Sequence, residues 1–439
     1  MKSSIKSFSQ EFLRKIENNK VRVISHYDSD GITSAAIISK MLKRLNKKFS
    51  VRIVKNLEKE IIEEESKRNS NEILLFTDLA SNSLDYLNSL NRDVFIIDHH
   101  EIKKEKISSH IKILNPHLFD KEDICAAALC YFVSKEVSLK NKDLSKLAII
   151  GMIGDRHEKE ISREYQEIIS DCEDLELKKS LLIFSATRPI KKALEYSTSF
   201  FIPGITGSSE GVLEFLKENN ISPEKSLYDL TEKEVSRIIT SLAMRRGMEN
   251  FYDEMIGNIF IINFFNRKED ARELSALINS CSRLGSPDIA FSFCLESENY
   301  YEIAQEMYIK YRKELLDGLK SLNEVEKIEG NGFVIINGKE KIKDAIIGTI
   351  CSILSSSKTY DSGTILIGMA YNEDKIKVSA RIVGESEKNL KEVLEKVVIK
   401  VNGEVGGHKE AAGCLIKKEY EKIFIEELRK NLEIEKLSF

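Results

Sequence analysis

Eight side chains of this 439-residue chain carry the donor atoms of metal chemistry, and all eight stand where an apolar run stops. His26, Asp28 and Asp30 follow Val21-Arg22-Val23-Ile24-Ser25, and Asp78 follows Ile73-Leu74-Leu75-Phe76-Thr77. Asp98, His99 and His100 follow Val94-Phe95-Ile96-Ile97, and Asp155 closes the apolar run 147–154. In open α/β sheets, ligands gather just beyond the carboxyl ends of the strands. A lone Asp there is ordinarily a helix cap, and a polar strand-to-helix loop is ordinary too. Repetition over four runs favours a site. The donors are oxygen and nitrogen without cysteine sulfur, a mixture that suits Mn²⁺ or Mg²⁺, with Zn²⁺ or Co²⁺ as substitutes. Five aspartates outweigh one divalent cation, so two ions are expected. Two ions roughly 3.5–4 Å apart clamp a phosphoryl group, supply a hydroxide at neutral pH and stabilise the leaving oxygen. The chemistry expected is hydrolysis of a phosphoester or phosphoanhydride. No P-loop, Gly-x-Ser-x-Gly elbow or Rossmann glycine fingerprint competes with that reading.

Such donors need buried strands with helices between them. Runs rich in β-branched and aromatic residues predict strands at 21–25, 51–54, 73–77, 94–97 and near 113–114. Helices fit 8–16, 32–45, a charged stretch ending near 68, and 124–133, where Cys125-Ala126-Ala127-Ala128 permits close packing. The run 147–154, with Gly151 and Gly154, reads equally as strand or helix. Alternation over about 18–180 argues for a mostly parallel sheet. His26, Asp28 and Asp30 alternate, so in an extended segment they would point to one side, with Gly31 permitting a sharp turn. From about 158 to 319 the signals are helical. A long ordered loop is expected at 193–207, short helices at 210–248, an apolar stretch with Arg283 at 275–285, and a connector helix at 300–322. Alternation resumes with strands at 332–336, 364–368 and 376–381 and helices at 343–354, 387–396 and the tail. Between them, Gly406 and Gly407 precede His408. That pattern suits close approach of backbone to a phosphate, or a flexible hairpin.

The net charge of −4 excludes a uniformly basic nucleic-acid binder, so a polyanion would be held by a local patch or by metal. Seven cysteines without a Cys-x-x-Cys pair argue against a zinc ribbon or disulfide framework. No apolar run approaches bilayer length and the first residues do not read as a signal peptide, so a cytoplasmic protein with no membrane partner is expected.

The ordered set His-x-Asp-x-Asp-Gly, strand-end Asp, Asp-His-His, Gly-x-x-Gly-Asp and Gly-Gly-His-x-x-Ala-Ala-Gly resembles the DHH phosphoesterase superfamily and spans residues 26–413. Within it, Leu114-Asn115-Pro116-His117, Glu195-Tyr196-Ser197 and Ile202-Pro203-Gly204-Ile205-Thr206-Gly207 look most like archaeal RecJ-like single-strand exonucleases. Some of those associate with the replisome component GINS. The resemblance implies an α/β protein with a catalytic DHH domain (1–185), a helical region with a small insertion (186–299), a connector (300–325) and a smaller DHH-associated domain (326–439). The active site would lie in a cleft between the first and last. It implies one Mn²⁺ at His26, Asp28 and Asp78, and a second at Asp30, Asp78, His99 and Asp155. Asp98 would orient His99, and His100 would face the scissile phosphate. His408, with the amides of Gly406 and Gly407, would grip substrate phosphate, with Arg381 and Arg283 on neighbouring phosphates. The departure is His26, where bacterial RecJ proteins usually have Asp. The His form is shared with archaeal members and with branches acting on short oligonucleotides or pyrophosphate. A Mn²⁺-dependent exonuclease on single-stranded DNA or RNA is expected. The alternatives are a nanoRNase or cyclic-dinucleotide phosphodiesterase, and a replisome scaffold that binds GINS through residues 205–250.

Overall fold

The computed structural model describes all residues except 69–70, 103–106, 120–123, 160, 184–185, 198–201, 203, 247–255, 358, 385, 402, 408 and 435–439. Part of the loop expected at 193–207 and all of His408 therefore lie outside the described residues. The chain forms two units. One comprises Met1–Arg188, Ser226–Val235 and Asn250–Tyr308, the other Pro189–Lys225, Ser236–Glu249 and Ile309–Phe439.

The first unit begins with α1 (Lys2–Ile16), β1 (Lys20–His26), α2 (Ser29–Arg44), β2 (Phe49–Val54), α3 (Lys59–Ser66) and β3 (Glu72–Thr77). The one-turn α4 (Leu84–Leu87), β4 (Val94–Ile97) and β5 (Ile111–Leu114) complete its sheet. All five strands are parallel in the order β2-β1-β3-β4-β5, the α/β architecture expected. Val23, Ile24, Leu74, Leu75, Phe95 and Ile96 are buried. Strands covered on both faces read as continuous apolar runs, which is why they were legible. The order reverses between β1 and β3, the place where carboxyl ends open a crevice.

Helices α5 (Ala126–Val137) and α6 (Ser145–Gly154) pack on α2. The ambiguous run 147–154 is thus a helix, buried nearly all round. Gly151 and Gly154 lie three apart on one face of it. A Cβ at Gly151 would come within 2.5 Å of the Ala127 Cβ and 2.7 Å of the Thr33 Oγ1, and one at Gly154 within 2.9 Å of the Ser29 Cβ. The glycines are what let α6 lie so close.

The expectation of helical signals and a long loop, without strands, from about 158 to 319 is corrected by an antiparallel sheet of β6 (Glu176–Leu181), β7 (Ile256–Phe264) and β8 (Arg267–Asp270), in that order. Edge strand β6 reads Glu-Leu-Lys-Lys-Ser-Leu, with no apolar run to betray it. Its pairing with β7, far along the chain, makes it a strand. The helix Ala271–Arg283 then buries Leu274, Leu277, Ile278 and Cys281 in the core of this unit. Helices Ser209–Glu218, Glu232–Arg246 and Tyr300–Ser321 fall where short helices and a connector were expected.

The second unit holds a six-stranded sheet ordered β13-β14-β12-β11-β10-β9. Its strands are β9 (Glu326–Gly330), β10 (Phe333–Asn337), β11 (Ile365–Asn372), β12 (Lys375–Ile382), β13 (Glu404–Gly407) and β14 (Ala411–Lys417). Only β10 and β11 pair in parallel. Phe333, Ile367, Val378, Val397, Phe424 and Leu428 form its core with helices Leu390–Val398 and Glu421–Ile434. Among the described residues, no helix is long and apolar enough to cross a membrane.

Candidate metal centre

His26 ends β1, and the chain turns at once. Asp28 is the N-cap of α2, its carboxylate accepting the Gly31 N–H at 3.0 Å, while Asp30 lies in the first helical turn. The expected alternation in an extended segment is therefore not what gathers these donors; a strand-to-helix turn does. Gly31 serves close approach: a Cβ there would come within 2.3 Å of the His26 carbonyl oxygen. Asp78, one residue past β3, is left-handed at φ 59°, and Ala80 follows at φ 93°. Such backbone is costly for residues with a Cβ and clusters at functional sites.

The structure brings the predicted donors into three groups, in each of which the ligand atoms lie within 4.8 Å of one another. These are His26–Asp28–Asp78, Asp78–His99–His100 and Asp30–His99–Asp155. Nδ1 of His26 lies 3.1 Å from Asp28 Oδ2 and 3.3 Å from Asp78 Oδ2. Nε2 of His99 lies 3.2 Å from Asp78 Oδ1, 3.3 Å from Asp155 Oδ2 and 3.8 Å from Asp30 Oδ2. Asp78 and His99 thus each belong to two groups. The expected pairing of Asp98 with His99 is revised. The buried Asp98 carboxylate meets the ring of His100, Oδ1 to Nδ1 at 2.7 Å, and takes from His99 only its main-chain N–H, at 2.8 Å. The side chain of His99 points instead into the carboxylate cluster.

Burial pushes the Asp155 carboxyl up to about 7, with Asp78 and Asp28 adding to it against His99. Burial, Asp155 and Asp78 raise Asp30 well above the carboxylate range. Two N–H groups at the start of α5 oppose that, Ala126 to Oδ2 at 2.7 Å and Ala127 to Oδ1 at 2.8 Å. Burial pulls the imidazoles down, but Asp28 and Asp78 hold His26, and Asp155 and Asp78 hold His99, well above the usual value. Burial likewise opposes His100, whose pKa is raised by its bond to Asp98. Nδ1 of His26, both oxygens of Asp78 and Oδ2 of Asp155 are buried and complete no hydrogen bond among the described residues. Buried carboxylates facing one another without donors are unstable unless a cation balances them. The donor set fits divalent metal.

Several supporting groups gave no signal in the sequence. Asn279, on the helix Ala271–Arg283, accepts the Ser29 N–H at 3.0 Å, between Asp28 and Asp30. Ser81 donates its N–H to Asp98 Oδ2 at 2.9 Å. Of the expected substrate contacts, Arg283 is exposed at the end of its helix. Arg381, on β12, donates from Nε to the Ser352 hydroxyl at 3.0 Å. Gly406 and Gly407 are exposed in β13, which pairs with β14 as a hairpin, and Gly407 has φ 118°, open to glycine alone.

Residues 20–154 match the N-terminal domain of the DHH family, 331–433 the DHHA1 domain and 183–259 the DHH-CID domain. An uncharacterized protein of Methanocaldococcus jannaschii is 31% identical over 416 residues, 91% of this chain and 90% of that protein. The chain belongs to the DHH/DHHA1 phosphoesterase superfamily. Its fold is shared with CDC45 from Entamoeba histolytica at TM-score 0.70 and 13% identity, over 98% of this chain and 99% of that one. RecJ in complex with Mn²⁺ from Thermus thermophilus matches at TM-score 0.60 and 15% identity, over 97% of this chain and 54% of that one. The chain thus spans about half the length of that RecJ. An exonuclease RecJ bound to manganese matches at TM-score 0.61 and 15% identity, over 97% and 93%.

Proposed function

We propose that the protein is a divalent-metal-dependent phosphodiesterase of RecJ-like type, hydrolysing single-stranded DNA or RNA to mononucleotides. The observation that carries this reading is the sharing of Asp78 and His99 between donor groups, an arrangement suited to two cations side by side. One cation would be held by His26, Asp28 and Asp78, the other by Asp30, Asp78, His99 and Asp155. Two Mn²⁺ there, or Mg²⁺ or Co²⁺, supply charge that polarises a phosphate diester and acidifies water near neutral pH. Asp98 holds His100 with its proton on Nδ1. The same pairing raises the pKa of the ring and so favours its protonated form, whose Nε2–H could bond a phosphate oxygen as charge develops there. Arg283 in the first unit, and Arg381, Gly406, Gly407 and His408 in the second, are the proposed contacts for further phosphates.

The test is a product ladder from end-labelled DNA and RNA strands of about 5 and about 40 nucleotides, with Mn²⁺ or EDTA. Mononucleotides from the long strands are expected. Cleavage of short oligomers alone would move the protein to the nanoRNase reading, and cleavage only of cyclic dinucleotides would move it to that class. A second reading, compatible with hydrolysis, is a docking module for a GINS-type replisome component centred on residues 205–250. It is supported by the match to CDC45 along nearly the full length of both chains. GINS binding that survives deletion of 205–250 would remove it.

A further inference from the structure

Asn115 and His117 donate no atom to the three groups, yet their side chains hold the main chain of both histidines in the Asp-His-His triplet. Asn115 is fully buried, one residue past β5. Its Nδ2 donates to the His100 carbonyl at 2.9 Å and to the Ser81 hydroxyl at 2.9 Å, and its Oδ1 accepts the His117 N–H at 2.9 Å. Nε2 of His117 lies 3.0 Å from the His99 carbonyl. A carbonyl only accepts, so Nε2 carries the proton. Pro116 opens the turn with a fixed φ, and Leu118 N–H bonds the Asn115 carbonyl at 3.1 Å, folding His117 back toward the end of β4. Through Ser81 and Asp98, the loops after β3, β4 and β5 share one chain of hydrogen bonds.

The physical need is plain. His99 and His100 are neighbours outside regular structure, yet their rings make their nearest contacts with different carboxylates: His99 with Asp78, Asp155 and Asp30, His100 with Asp98 at 2.7 Å, while Asp78 lies farther from it, at 3.9 Å. Fixing both carbonyls holds the peptide plane after each residue and so restricts the backbone from which each ring reaches its partner, leaving only the side-chain torsions to choose. We propose that Asn115 and His117 are positioning residues, clamping these carbonyls so that His99 reaches the donor cluster and His100 the phosphate. The part concerning phosphate rests on the hydrolase reading above.

The experiment compares full-length wild type, His117→Ala, His117→Gln and Ser81→Ala. Mn²⁺ affinity is read from the electron paramagnetic resonance of free Mn²⁺, melting temperature is taken in EDTA, and kcat and KM are taken on bis(p-nitrophenyl) phosphate. His117 is only half-buried, so its variants should fold. His117→Ala is expected to weaken Mn²⁺ binding roughly 10–100-fold, as loss of a ligand's supporting partner does. It should lower kcat more than KM, with the EDTA melting temperature close to wild type. His117→Gln can offer an amide N–H to the same carbonyl and should recover most of the affinity, while Ser81→Ala should show a smaller loss of the same kind. An Ala variant that binds Mn²⁺ like wild type would overturn the clamp. So would a Gln variant no better than Ala, or an affinity loss that merely tracks melting temperature. Wild type that binds Mn²⁺ but cleaves no phosphodiester would defeat the hydrolase reading alone, since the affinities still decide the clamp. Wild type that binds no Mn²⁺ would defeat both.

Discussion

Asp78 combines left-handed backbone at φ 59° with a buried carboxylate whose two oxygens complete no hydrogen bond among the described residues. Asparagine tolerates that backbone better than alanine, so Asp78→Asn isolates the charge. We expect it to abolish Mn²⁺-dependent hydrolysis while stabilising the metal-free protein at pH 8 by about 1–2 kcal/mol, a gain common where a buried charge is kept for function at the expense of stability. Chemical denaturation in EDTA measures this, and a destabilised variant would contradict it. The same cluster sets a pH dependence. His26, His99, Asp30 and Asp155 all have raised values in the folded protein, Asp155 to about 7. The folded state therefore binds more protons than the unfolded one, and stability present at low pH is lost as pH rises through those values. Asp98 is shifted the other way: burial is outweighed by His100, so its contribution is lost only in acid, below the ordinary carboxylate range. In EDTA, melting temperature should fall between pH 5.5 and 8, and saturating Mn²⁺ should flatten or reverse that slope. Binding must expel these protons, so affinity should rise with pH. Calorimetric titration in buffers of different ionisation enthalpy counts the protons, and finding none released would refute the assignment.

At the scale of elements, the site depends on how closely helices approach. The first turn of α5 brings two N–H groups onto Asp30, and Ala126 and Ala127 are small enough to allow it. A Cβ at Gly151 would also come within 2.8 Å of Asp30 Oδ1. Gly151→Ala should cost about 1–3 kcal/mol, as overpacking does, and weaken Mn²⁺ binding at the same time. Gly154→Ala should cost less, because the nearest atoms belong to the small side chain of Ser29. Equal melting curves and Mn²⁺ affinities for wild type and Gly151→Ala would show that α6 can retreat without disturbing Asp30. Strands β6 and β7 carry a different lesson. β6 is charged, and its conformation is imposed by pairing with residues 256–261. No window of local sequence contains that partner.

On the scale of the whole molecule, the six-stranded sheet and its helices own a core drawn entirely from residues 333–432. A fragment of residues 326–439 should therefore fold alone, with a cooperative thermal transition and mixed helix–strand circular dichroism. A fragment lacking such a transition would show that its core needs the rest of the chain. The long motif series from His26 to Gly413 crosses both units, so that fragment should carry no Mn²⁺-dependent hydrolysis of its own.

What the sequence determined by itself was local. The β-branched runs of β1, β3 and β4 announce their burial residue by residue, and the donors at their ends announce oxygen-and-nitrogen metal chemistry. The apolar run that ends in Gly-x-x-Gly-Asp announced a buried element with Asp155 at its end, but not its secondary structure. The residue pattern alone did not say how the donors group: Asp30 stands four and two residues from His26 and Asp28, and its company with His99 and Asp155, in the sequence only an implication of the resemblance, is a matter of distances in the fold. Asp98 meets the ring of His100 rather than that of His99. Tertiary structure also decided what steadies them: Asn115 and His117 behind the triplet, and Asn279 reaching Ser29 across 250 residues of chain. Burial is written into each strand's own composition, whereas a hydrogen bond or ion pair is set by direction and distance in space, which sequence separation does not encode.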